Sequence, residues 1–120
     1  MKKAIALLLA LVMVFALCAC GGGGDSASGE KVVKIGVFEP ASGDSGAGGK
    51  KEMLGMQYAN QETPTVEIGG ETYKVELVYS DNGSDSAKAV SAASKLVNEK
   101  VSLVLGSYGS GVSMAGGTVF

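Results

Sequence analysis

Val32-Val33-Lys34-Ile35-Gly36-Val37-Phe38 is the stretch from which the fold of this chain is read. Apart from one lysine and one glycine its residues are β-branched or aromatic, the composition of a strand buried on both faces of a parallel sheet. Pro40 and the glycines from Gly43 to Gly49 break the run into a loop. Beyond the loop, Met53, Met56 and Ala59/Asn60 recur at helical spacing and predict a helix from about Gly48 to Glu62. Thr63-Pro64 ends it, because a residue before proline avoids helical geometry.

Two strand-like runs follow, Thr65–Ile68 and Glu71–Tyr79, joined by Gly69-Gly70, a pair suited to a tight hairpin turn. Ser80–Ser84 is a polar turn, and Asp85 is placed to cap a helix over roughly Ser86–Glu99. Ala89, Ala92, Ala93, Leu96 and Val97 mark the buried stripe of that helix. Val101–Leu105 is a further apolar strand, followed by Gly106-Ser107-Tyr108-Gly109-Ser110-Gly111 and a helix starting near Val112. Strands alternating with helices predict an α/β fold, a parallel sheet with helices on its faces. The last helix runs to Phe120 without a stop signal, as expected of the N-terminal piece of a longer protein.

The residues before this pattern have a different character. Lys2 and Lys3 precede an unbroken apolar run from Ala4 to Leu17, too short to span a bilayer comfortably, and small Ala19 precedes Cys20. This layout is a secretory signal, and its end at a cysteine resembles the lipobox of bacterial lipoproteins. The resemblance implies cleavage before Cys20, a diacylglycerol on the Cys20 sulfur, and an extracytoplasmic protein anchored to the cell membrane by lipid. Residues 1–19 are thus expected to be signal peptide, with 20–31 a flexible glycine- and serine-rich tether. Cys18 is removed with the signal, so the mature chain has no pair of cysteines for a disulfide or a metal site.

Composition excludes several functions. All ten basic residues are lysine, so the arginine contacts on phosphate and guanine that nucleic-acid readers favour are missing. Loss of Lys2 and Lys3 leaves eight lysines against twelve acidic residues, a more acidic mature chain. There is no histidine, which removes the usual general base and the usual zinc ligand. No cofactor or metal is expected, and no nucleic-acid partner.

Taken in order, Lys34-Ile35-Gly36-Val37, Ser42-Gly43, Gly55-Met56-Gln57-Tyr58-Ala59, Val75–Val78, Asp81-Asn82, Asp85–Val90, Lys95-Leu96-Val97, Val104-Leu105-Gly106 and Ser110-Gly111 carry a resemblance. Together they resemble the start of the leucine/isoleucine/valine-type substrate-binding proteins of ABC importers. That family has the type I periplasmic binding protein fold, two α/β lobes that close on a ligand, and residues 32–120 would be the first part of lobe one. The resemblance implies a non-enzymatic protein that captures an amino acid or similar small metabolite for an ABC permease. It departs at Gly48, where branched-chain binders often carry an aromatic residue that packs on the ligand.

Gly106–Gly111 is the candidate site. It follows a predicted parallel strand and precedes a helix, where open α/β sheets bind ligands, and exposed amides at a helix start favour a carboxylate. The resemblance implies that Ser110 contacts the amino and carboxylate end of an amino acid, with Gly111 offering a close backbone amide; Tyr108, in the same loop, is a secondary candidate. A structural reading of Ser110 is that it caps the next helix.

Other readings fit less well. Ser110 is not a nucleophile elbow, which needs glycine at Tyr108 and Val112 and a base. Ser42–Gly49 is glycine-rich but has Lys51 where a dinucleotide fingerprint needs glycine and Asp44 where a phosphate loop needs one. It is read as a mobile loop lining the mouth of a cleft. Asp81, Asn82 and Asp85 lack the spacing of a calcium loop and are read as turn and cap residues. The alternatives to a transport role are a ligand-sensing domain of the same fold and, further off, a surface hydrolase.

Overall fold

A computed structural model describes residues 29–120. Its elements are β1 (Val32–Val37), α1 (Gly46–Glu62), β2 (Thr65–Ile68), β3 (Glu71–Tyr79), α2 (Ser86–Asn98), β4 (Leu103–Leu105) and α3 (Ser110–Gly117). The four strands form one sheet in the order β2-β3-β1-β4. β1 is central and parallel to both neighbours, with Val32 opposite Lys74, Val37 opposite Tyr79, and Ile35 opposite Leu103. β2 and β3 are antiparallel, and Gly69 and Gly70 take φ of 62° and 81° in the turn between them. Two positive φ values in succession are what a type I′ hairpin demands. The sheet is therefore mixed, parallel where helices intervene and antiparallel at the hairpin.

The strand period of two divides the side chains between two unequal faces. On one face lies the core, built from Phe38, Ala89, Ala92, Ala93, Leu96 and Val112, with Val78, Val101 and Val104 packed against it. The alanines let α2 lie close to the sheet. Leu96 is fully inaccessible, and its Cδ1 stands 3.1 Å from where a Cβ on Gly36 would be. Burying a leucine of this kind contributes roughly 2–3 kcal/mol. Asp85 starts α2 as expected: its Oδ1 accepts from the amides of Ala87 and Lys88, both at 2.8 Å.

The second face is thinly covered. Ile35, Val75, Leu77 and Leu105 line a groove of about 590 Å³ whose other wall is Glu52, Met56 and Asn60 of α1. Leu103, Leu105, and Leu54 and Tyr58 on α1 are exposed. β1 was expected to be buried on both faces; Ile35 is only half-buried, since among the described residues only α1 lies on this side, and Val32, at the start of the strand on the other face, is exposed.

Three boundaries differ from expectation. α1 begins at Gly46 rather than near Gly48, because the amides of Gly48 and Gly49 both bond to the Ser45 carbonyl. β4 is only Leu103–Leu105, because Lys100 takes φ of 58° and the amides of Lys100 and Val101 turn back to Val97 and Leu96. That closing turn of α2 consumes the start of the predicted strand. Val97, expected in the buried stripe, is exposed beside Phe120 at the edge of the sheet.

Candidate functional site

The carboxyl ends of β1 and β4 lie side by side, and the chain leaves them in opposite directions: from β1 towards α1 and from β4 towards α3. A crevice at such a switch point is where open α/β sheets hold ligands. The Phe38 amide donates to the Leu105 carbonyl at 2.9 Å, extending the ladder one residue past the end of β1. Gly106 then turns at φ 127°, and a Cβ there would collide with the Phe38 carbonyl and come within 2.9 Å of Glu39 Oε1. No other residue fits at position 106.

α3 opens the site. Its N-cap is Gly109, at φ 122°, with no side-chain hydrogen bond. The Ser113 amide is the first taken up, by the Gly109 carbonyl at 3.1 Å, so the amides of Ser110, Gly111 and Val112 have no acceptor among the described residues. α2 differs: Asp85 already occupies its first-turn amides. The free start of α3 thus presents donors and a partial positive charge suited to a carboxylate.

Ser110 and Gly111 are both exposed at this turn. Ser110 is the first helical residue and not the cap, so the capping reading is corrected: glycine does that job. Ser113 and Ser107 take the local bonds instead, with Ser113 Oγ donating to the Gly109 carbonyl at 3.1 Å and lying 3.4 Å from Ser107 Oγ. The Ser110 hydroxyl has no hydrogen-bond partner among the described residues. Tyr108 is 46 % exposed, and its ring leans over Gly48 on α1. Cys20 and residues 1–19, expected to be a signal peptide, lie outside the described residues.

Glu39 is the residue that sequence reasoning missed. Its side chain is 1 % exposed, its Oε2 accepts from the Tyr108 amide at 2.8 Å, and its Oε1 has no partner. Burial pushes its pKa up to about 7; the Tyr108 amide pulls it down, while the neighbouring Glu52 carboxyl pushes it further up. The only signal in the sequence was an acidic residue directly after a buried strand.

The loop after β1, expected to be mobile, is tied down. Asp81 Oδ1 accepts from the amides of Ala41, Ser42 and Gly83 at 2.8, 3.2 and 2.9 Å, and Oδ2 from the Ser42 hydroxyl at 2.6 Å. Burial acts to raise the Asp81 pKa, but these bonds outweigh it and hold the carboxyl below its usual range. Asn82, fully buried, donates to the Phe38 carbonyl at 3.1 Å and accepts from the Ser84 amide at 3.0 Å. The cluster of Asp81, Asn82 and Asp85 is accordingly turn and cap chemistry, as read from the sequence.

Comparison with known proteins agrees with this architecture. Residues 32–120 match the family model described as periplasmic binding protein. The chain is 32% identical over 82 residues to Leu/Ile/Val-binding protein homolog 2 of Brucella abortus, covering 68% of this chain and 22% of that protein. It is similar to the leucine-binding protein LivK of Thermotoga maritima, with TM-score 0.66 and 37% identity over 73% of this chain and 24% of the other. It is likewise similar to the branched-chain amino acid transporter substrate-binding protein LivJ of Streptococcus pneumoniae, solved with isoleucine, with TM-score 0.64 and 33% identity over 74% and 26%. The chain spans about a quarter of the length of these relatives. With its parallel β1, β3 and β4, the crevice at their carboxyl ends and this match from Val32 to Phe120, the chain belongs to the periplasmic binding protein family and has the beginning of its type I fold.

Proposed function

We propose that the chain is the start of lobe one of a lipid-anchored, extracytoplasmic binding protein that captures an amino acid of the branched-chain type for an ABC permease. The observation that carries the reading is the uncapped start of α3, where three free amides and the Ser110 hydroxyl converge at the strand ends. An amino acid carboxylate accepts from the amides of Ser110 and Gly111 and from the Ser110 hydroxyl, and Tyr108 packs against the rest of the ligand. A second lobe closes over this half-site, and the ligand stabilises the closed form that the permease recognises. The role is binding and not catalysis. Residues 1–19 act as signal peptide, Cys20 bears the lipid, and the segment to Lys31 is the tether.

The test is a thermal-shift and calorimetric screen of the full-length protein against leucine, isoleucine, valine, other amino acids and simple carboxylates. A ligand at a hundred times its Kd stabilises the folded form by about 2.7 kcal/mol. Ser110→Ala, which removes one hydrogen bond, is expected to weaken binding roughly tenfold. Failure of every amino acid to stabilise the protein overturns the reading.

A further inference from the structure

A carboxylate buried without a cation needs a reason. Glu39 is almost wholly inaccessible, yet the ion pairs among the described residues are Lys31–Glu71, Lys34–Glu99 and Lys74–Glu30, none of them near it. What faces it are the Tyr108 amide, the Gly106 backbone and, from α1, another acid, Glu52. Its Oε1 is left without a donor. Burying such a group lowers stability, and residues that break local rules in this way gather at functional sites. The one strong bond Glu39 makes is to the amide of Tyr108.

The Tyr108 ring is held from its other end by an absence. A Cβ on Gly48 would stand 2.8 Å from Cζ, 2.9 Å from Cε2 and 3.1 Å from Cε1 of the ring. Side chains do not approach so closely, so the ring rests on the bare α-carbon and any larger residue at position 48 displaces it. Gly48 does not have a positive φ, so neither turn geometry nor backbone strain accounts for a glycine there. The end of β1, the first turn of α1 and the loop after β4 thus meet at one aromatic side chain that is still half open to the crevice.

We propose that Glu39 and Gly48 are positioning residues for ligand selection: Glu39 fixes the backbone of Tyr108, Gly48 seats its ring, and the ring so placed is the wall that sorts ligands by side chain. This deepens the reading above and rests on it. Ring placement is set by two residues that do not touch the ligand.

The experiment uses the full-length protein, with L-leucine and L-phenylalanine as calorimetric probes and the Gly48 Hα chemical shift as a ligand-free readout. A ring lying on Gly48 gives an upfield Hα shift, expected in the wild type and in Glu39→Gln, which keeps an acceptor oxygen, and lost in Glu39→Ala and Tyr108→Ala. Gly48→Ala is expected to change leucine affinity by about fivefold or more with Tyr108 present, and by less than about twofold in the Tyr108→Ala background, the non-additivity of a direct contact. Glu39→Gln restores the leucine-to-phenylalanine preference that Glu39→Ala alters. An equal effect of Gly48→Ala in both backgrounds, or a Gly48 shift that survives Glu39→Ala, overturns the proposal. Should Tyr108→Ala leave the preference unchanged while Ser110→Ala weakens binding, selection by the ring is refuted and the amino-acid reading stands. If the wild type binds no amino acid, that reading falls and takes the selective role with it, while the chemical shifts still decide the placement of the ring.

Discussion

Replacing Asn82 by alanine tests how the end of β1 is fastened. The Asn82 side chain is fully inaccessible and bridges two backbone groups, the Phe38 carbonyl at 3.1 Å and the Ser84 amide at 3.0 Å. Alanine leaves both without partners. Phe38 is 2 % exposed, so its carbonyl bears the full desolvation penalty, whereas Ser84 is only half-buried and its amide can recruit water. One full penalty and part of a second come to about 2–3 kcal/mol, roughly a 30- to 150-fold shift in the unfolding equilibrium. Urea unfolding of the mature protein followed by circular dichroism measures this as a lower midpoint at unchanged slope. Asn82→Asp supplies the control. Protonated, an aspartic acid can donate to the Phe38 carbonyl and accept from Ser84, as asparagine does. Ionised, it is a buried charge facing a carbonyl oxygen, so its folded pKa lies above the unfolded value of about 3.9. Its stability therefore approaches wild type below that value and is lost as pH rises through the folded pKa. A cost below about 1 kcal/mol for Asn82→Ala, or wild-type stability of Asn82→Asp at pH 7, would refute the assignment of these two bonds.

Further outcomes follow from the same geometry. Asp81 has a folded pKa below its ordinary value, so its contribution is present above the unfolded pKa and is lost as pH falls through the folded one. Asp81→Asn should flatten that acid limb in a pH series of unfolding midpoints and speed amide exchange at Ala41 and Ser42, its two loop partners. Glu39 has the opposite sign: with its pKa raised from 4.5 to about 7, stability is full below the unfolded value and declines as pH rises through the folded one. Glu39→Gln should remove that decline, and an identical pH profile for both proteins would count against the burial described here. Gly116→Ala would place a Cβ 2.6 Å from Phe38 Cζ and should destabilise by about 1–3 kcal/mol, with Phe38→Leu recovering part of the loss in a thermal melt. Cys20→Ala should release the protein from membranes into the soluble fraction and abolish incorporation of labelled fatty acid; retention on the membrane would rule out the anchor.

How legible each part was in the sequence depended on how local its cause was. The Gly69-Gly70 hairpin and the Asp85 cap are fixed by residues within a few positions, and both are found where the sequence placed them. The stripe of Ala89, Ala92, Ala93 and Leu96 was legible for the same reason, helical periodicity. The length of β4 was not, because Lys100 in a left-handed conformation carries no sequence mark and diverts Val101 into the helix end. In the site, the glycines and Ser110 pointed to the loop after β4. Glu39, Gly48 and Asp81 did not, because each acts on partners far along the chain: Tyr108 for the first two, and Ala41 and Ser42 for the third. A side chain's role in a non-local contact is invisible until the topology is known.

The central place of β1 also governs when this chain can fold. As the first described strand to leave the ribosome, β1 has no neighbour nearby in sequence; its partners lie about forty and about seventy residues further along. Only the β2–β3 hairpin can close early, and its partly exposed faces offer little to hold it alone. Until Leu103–Leu105 has been synthesised, the sheet cannot be assembled around its middle strand. Under the export route proposed above, that delay would keep the emerging segment extended while its leading end is engaged. The topology that builds the crevice is thus also a clock, set to start only once β4 has been made.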